Sequence, residues 1–152
     1  SAEETTPVSF LHSPTLRRLS HNALRVMAGF LFLQHGAQKL FGWLGGFGGT
    51  PGQTAELVSL MGLAGVLEFF GGLLILLGLF TRPVAFVLCG QMAVAYFMAH
   101  FTRGFWTIQN GGESAVLFCF VFLLLAALGP GSFSLDAALG REAEESSPAG
   151  AG

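Results

Sequence analysis

The chain has 152 residues, of which 52% are hydrophobic and 11% charged, and its net charge at pH 7 is −2. A soluble domain carries about 25% charged residues, so this composition excludes an ordinary soluble fold. The few basic residues are dispersed, which excludes a basic stripe able to follow a phosphate backbone, and nucleic acid is not an expected partner.

In chain order, residues 1–16 read as a polar arm with Glu3 and Glu4. No short apolar core with a small-residue cleavage site precedes the first apolar block, so targeting is expected to come from that block itself. The first span is expected over residues 19–44. It opens behind Arg17 and Arg18 and closes on the glycine-rich GWLGGFGGTPG, Gly42 to Gly52. This stretch lacks the lysine and hydroxyl residue of a phosphate loop. It reads instead as an interfacial hairpin with Trp43 and Phe47 anchored at headgroup level.

The second span is expected over residues 57–80. Thr81, Arg82 and Pro83 follow as a tight connection, with the proline starting the next helix. The third span is expected over 84–101 and leads into a polar, aromatic loop containing Trp106. The fourth is expected over 113–128, stopped by Gly129, Pro130 and Gly131. Residues 140–152 read as a disordered acidic tail. The two cysteines, Cys89 and Cys119, sit inside apolar segments without CxxC or zinc spacing, and read as small buried residues.

Each apolar block meets or approaches the ~20 residues needed to cross a hydrocarbon core of about 30 Å. Backbone groups in lipid must bond within their own segment, so the blocks are expected to be helices. The expected fold is therefore all-α, a transmembrane four-helix bundle over residues 17–139. With the N-terminus inside, Arg17, Arg18, Arg25, Arg82 and Arg141 face or approach the cytoplasm, while Arg103 and Lys39 lie toward the outside. The positive-inside rule then places both termini in the cytoplasm.

Ionisable groups within such spans cost about 2.5–3.5 kcal/mol each at the bilayer centre, so each one present needs a reason. Glu68 lies near the middle of span two, and its helical neighbours are Ala64, Gly65, Gly71 and Gly72. That stripe of small residues lets another helix come close. Glu68 is expected to point inward, either to fix packing through a cation or to act as a proton relay. Span one carries Arg25, Phe32, His35, Lys39 and Gly42 on one stripe. His35 reads as a hydrogen-bonded packing residue or a ligand contact, and Lys39 as a snorkelling cation or the partner of a buried carboxylate. Span three carries Tyr96 and His100 one turn apart, followed by Arg103, with Gln91 nearby. Glu113 opens span four, where it reads as a helix-dipole partner or a member of the same site. By depth, His35, Lys39, Glu68, Tyr96, His100, Arg103 and Glu113 are expected to cluster in the outer half of the bundle as a ligand-binding pocket. No metal site is expected.

Several motifs in this order resemble the DoxX family of small four-helix membrane proteins. They are Arg25 with Gly29, then HGAQKLFG from His35 to Gly42, and EFFGGLLILLGLFTR from Glu68 to Arg82. QMAVAYFMAH from Gln91 to His100, NGGE from Asn110 to Glu113 and GPGSFSLD from Gly129 to Asp136 complete the set. The resemblance implies a multi-pass protein of the bacterial inner membrane. It also implies association with quinone-dependent oxidoreductases or redox-defence proteins.

Three functions from different classes follow as expectations. The first is a quinone-interacting subunit of a membrane redox complex, with no intrinsic cofactor and a bound quinone or lipid; a catalytic partner subunit would supply the electrons. The second is a non-catalytic accessory subunit that stabilises a larger membrane complex. The third is a small-solute or proton permease, which the absence of an evident repeat with broken helices disfavours.

Overall fold

A computed structural model describes residues 10–141, so the expectations for the first arm residues and for the acidic tail beyond Arg141 lie outside the described residues. Among the described residues all regular structure is helical. Four long helices carry the fold: α1 (Pro14–Phe41), α2 (Leu60–Leu77), α3 (Thr81–Arg103) and α4 (Glu113–Leu128). Of these, α2 and α3 are long and apolar enough to cross a membrane. The α4 helix is apolar but spans 16 residues, and α1 is longer but interrupted by polar side chains.

The helix boundaries have local causes. Ser13 accepts the Leu16 amide and Pro14 occupies the first helical position, so α1 begins five residues before the expected span. It ends at Gly42, which adopts the left-handed conformation (φ 67°) that glycine takes without a Cβ penalty. Ser59 caps α2 by accepting the Gly62 amide, and Gly78 ends it, again left-handed. The α3 helix begins at Thr81, earlier than expected. Its cap comes from a distant residue: Asp136 accepts the amides of Phe80 and Thr81, each at 3.1 Å.

Packing joins the helices in two pairs, α1 with α2 and α3 with α4. Glycines let α1 and α2 approach backbone to backbone. A Cβ on Gly72 would sit 2.6 Å from the Leu33 amide nitrogen, and one on Gly36 would collide with the backbone of Phe69. On the other side of α2, Gly71 makes room for Leu88 of α3. This is small-residue packing, suited to helices whose surroundings offer no hydrophobic driving force. Gly36→Ala is therefore expected to push α1 off α2 and cost about 1–3 kcal/mol. A detergent melting curve would check this, and an unchanged midpoint would contradict the close approach.

The two pairs share a core of Phe32, Ile75, Leu88, Met92, Phe122 and Leu125. Phe32 packs edge-on to Phe122 with ring centroids 4.8 Å apart. The outside is as apolar as the inside. Met27, Phe30, Leu63, Phe70, Phe86, Phe97, Leu117 and Phe120 are all exposed, and each long helix contributes to this girdle.

At one end the chain after α4 is tied back by polar groups. Arg25 is 1% exposed and donates to the carbonyls of Ile75 (3.0 Å), Leu76 (2.7 Å) and Phe133. Asn22 donates to the Arg18 carbonyl and accepts the Phe133 amide. Arg82 donates to the carbonyls of Ala126 and Ala127 at the C-terminus of α4. Arg141 reaches Asp136 at 3.5 Å and lies over the Phe80 ring.

Candidate functional site

The opposite end holds the charged pair. Lys39 stands in the last turn of α1, where a cation complements the helix dipole. Glu68 lies eight residues into α2, about 12 Å along its axis at 1.5 Å per residue. Lys39 Nζ meets Glu68 Oε2 at 2.5 Å, and the two side chains are 17% and 6% exposed. Gly65 permits this approach, because a Cβ there would lie 3.0 Å from the Lys39 Cβ.

Gln91 on α3 completes the carboxylate's surroundings. Its amide nitrogen lies 3.4 Å from Glu68 Oε1 and 3.4 Å from the Ala64 carbonyl. Both of those neighbours are acceptors, so the amide nitrogen must face them. This leaves Gln91 Oε1 buried and without a hydrogen-bond partner.

Two of the three helices that supply these groups, α2 and α3, depart from α geometry beside the site. Leu67–Gly71, which contains Glu68, and Tyr96–His100 form π-type turns. Such turns insert one extra residue, shift the side-chain register and often occur at functional sites.

These groups border a cavity of about 470 Å³, a size suited to a small organic ligand. Its polar lining is His35, Lys39, Glu68, Gln91, His100 and Ser114, and its walls include Phe32, Leu67, Met92 and Phe118. His35 sits edge-on to Phe118, with centroids 6.2 Å apart. Of the seven residues expected at the site, four line the cavity: His35, Lys39, Glu68 and His100.

The other three lie outside the lining. Tyr96 stacks against His100 with centroids 6.4 Å apart and donates its hydroxyl to the Phe105 carbonyl, 3.3 Å away. Arg103 donates to the Ala99 carbonyl and lies 3.2 Å from His100 Nδ1. That same nitrogen is 3.1 Å from the Asn110 carbonyl. The imidazole tautomer decides between these contacts, since one ring nitrogen cannot donate to Asn110 and accept from Arg103 at once. Glu113 is exposed at the first position of α4.

Gln91 and Ser114 were not among the expected site residues. A neutral amide in an apolar span was the available signal for Gln91. Ser114 offered only a small hydroxyl beside Glu113.

All-helical structure among the described residues, two membrane-length helices, an apolar outer girdle and ionisable groups turned inward fit a membrane protein. Comparison with known proteins narrows the class: the chain belongs to the DoxX family, whose sequence model matches residues 21–101. It is 31% identical over 134 residues to the inner membrane protein YqjF of Escherichia coli strain K12, covering 78% of this chain and 90% of that protein. It is also 39% identical over 116 residues to an uncharacterized protein of Haemophilus influenzae strain Rd, covering 74% of this chain and 85% of that protein. No solved structure matches.

Proposed function

We propose that this DoxX-family protein is a quinone-interacting subunit of a redox complex in the bacterial inner membrane. In this reading all four long helices span the bilayer. The apolar residues exposed on each of them support it. Both termini lie in the cytoplasm, because the contacts of Arg18, Arg25, Arg82 and Arg141 gather at one end with the chain after α4. The cavity then opens in the extracytoplasmic half. YqjF's description as an inner membrane protein supports the location.

The observation that carries the proposal is the Lys39–Glu68 pair at the wall of a largely apolar cavity. A quinone ring needs apolar walls and a few donors for its two carbonyl oxygens. Lys39, His35 and His100 supply N–H donors at separate points of the lining. On reduction the ring oxygens gain negative charge. The Lys39 ammonium would stabilise that charge more strongly than the neutral carbonyl, which is the differential binding that favours reduction. Glu68, a hydrogen-bonded neighbour of Lys39, would relay a proton to the reduced oxygen. The electrons come from a partner subunit.

The test is equilibrium binding of a short-tailed ubiquinone analogue to the protein in nanodiscs. Glu68→Gln and Lys39→Met are each expected to weaken binding about tenfold, the equivalent of one charge-assisted hydrogen bond. An absence of binding to the wild type, or full affinity in both variants, removes the proposal.

A second reading, an accessory subunit with no ligand, is favoured by one observation. The pair ties α1 to α2 at one end, as Arg25 does at the other. In that case Glu68→Gln leaves the activity of the assembled complex intact, while deletion of the whole chain lowers the amount of partner assembled.

A further inference from the structure

The chain has two cysteines, and the fold brings them together. Cys89 on α3 and Cys119 on α4 are both free thiols, half-buried, with their sulfurs 3.7 Å apart. They are 30 residues apart in sequence, so the proximity is a product of the α3–α4 packing. A disulfide requires the sulfurs to close from 3.7 Å to about 2.05 Å. With no third cysteine, intramolecular oxidation has a single outcome.

The pair is separate from the cavity. Cys89 precedes Gln91 by two residues, which places them about 200° apart around the helix. On its own side Cys89 borders the buried Ala85, Leu88 and Met92, and the adjoining surface carries the exposed Phe86 and Phe120. The thiols therefore sit at the edge of the α3–α4 seam, next to the apolar girdle. A water-soluble oxidant or reductant has poor access to such a position, whereas a reagent dissolved in hydrocarbon can come alongside.

We propose that Cys89 and Cys119 form a redox-active dithiol that a membrane quinone oxidises to a disulfide joining α3 to α4. Two S–H bonds break and one S–S bond forms. The two electrons and two protons released convert the quinone's two carbonyl oxygens into the hydroxyls of a quinol. The oxidant is named by its chemistry: it must dissolve in lipid and accept two electrons with two protons. The proposal does not require a ligand in the cavity, so either can fail alone.

Reduced protein in nanodiscs, kept anaerobic, would be incubated with a short-tailed ubiquinone analogue. Free thiols are counted by maleimide mass tagging after denaturation, and quinol by its absorbance. The expected result is joint loss of both thiols within one chain, one quinol formed per chain, and full recovery of the thiols when dithiothreitol is added after denaturation. Cys119→Ser is expected to keep its remaining thiol and to form quinol at least tenfold more slowly. Cys89→Ser should behave alike. Both variants are expected to bind the quinone in the cavity with wild-type affinity, which separates this result from the binding test of Lys39 and Glu68. Retention of both thiols in the wild type, their loss only as linked dimers, or quinol formation by Cys119→Ser at the wild-type rate would overturn the dithiol.

Discussion

Replacing Glu68 by leucine is expected to destabilise the folded chain by about 3–5 kcal/mol, the cost of stranding one charge of a buried pair. The carboxylate is 6% exposed and accepts from Lys39 at 2.5 Å. Leucine fills a similar volume, so packing loss contributes little. What remains is an ammonium at a cavity wall whose other neighbours are apolar or neutral. Lys39 retains 17% exposure, so some relief through solvation is available and the lower half of the range is the better figure. Adding Lys39→Met to Glu68→Leu removes the stranded charge. The double variant is therefore expected to be more stable than Glu68→Leu alone, because replacing both members of a buried pair by apolar groups is often neutral. Melting in detergent of the wild type, the two single variants and the double variant gives the coupling directly. Additive effects would mean that the ion pair does not hold α1 to α2.

Glu68 and Lys39 also show what the sequence made legible. An acidic group in an apolar block, ringed by Ala64, Gly65, Gly71 and Gly72, has to face another helix, and Lys39, nearer the outer end of α1, is an available cation. Depth follows from counting residues at 1.5 Å each, which is why the sequence itself groups His35, Lys39, Glu68 and His100. Azimuth is harder. The π-type turns at Leu67–Gly71 and Tyr96–His100 each add a residue to one turn, and no composition signal marks them. Counting at 3.6 residues per turn therefore gives a level along the helix but leaves the face open. Tyr96 and Arg103 stand behind His100 instead of beside it in the lining. Glu113 lies exposed in the first turn of α4, where its charge complements the helix dipole, an outcome that sequence position alone left open.

The apolar blocks marked four helices because helix is the form that satisfies the backbone within lipid. The stop of α4 was legible at Gly129, whereas Gly42 and Gly78 end α1 and α2 two residues before the ends expected for their spans, 44 and 80. The start of α3 was not visible, because its cap is the Asp136 carboxylate, 55 residues away from Thr81. Cys89 and Cys119 gave no sequence signal of proximity. Their meeting depends on how α3 and α4 are rotated against each other, which hydrophobicity does not specify: nearly every position of α4 is apolar.

Arg25→Leu is expected to lower stability by about 4 kcal/mol, and its effect arises at the other end of the molecule. The guanidinium donates to the carbonyls of Ile75 and Leu76 at the C-terminus of α2, of which Ile75 also accepts the Gly78 amide, and to Phe133 beyond α4. Each charge-assisted bond to a buried carbonyl contributes about 1.5–3 kcal/mol, and three that share one donor group do not add in full. The loss has a second part. With Phe133 released, the segment that carries Asp136 is held less firmly, and Asp136 caps Phe80 and Thr81 at the start of α3. One substitution on α1 thus loosens the end of α2, the start of α3 and the chain after α4. Asp136→Asn retains one acceptor oxygen for these amides and is expected to cost only about 1 kcal/mol, in the range of a single cap. Hydrogen exchange should separate the two effects. In Arg25→Leu protection is expected to fall at Gly78 to Thr81 and at Phe133 to Ala137, while the amides around Glu68 keep theirs. Uniform loss of protection along α2 would instead mean that the two ends of the bundle are held as one unit and that Arg25 supports the cavity as well.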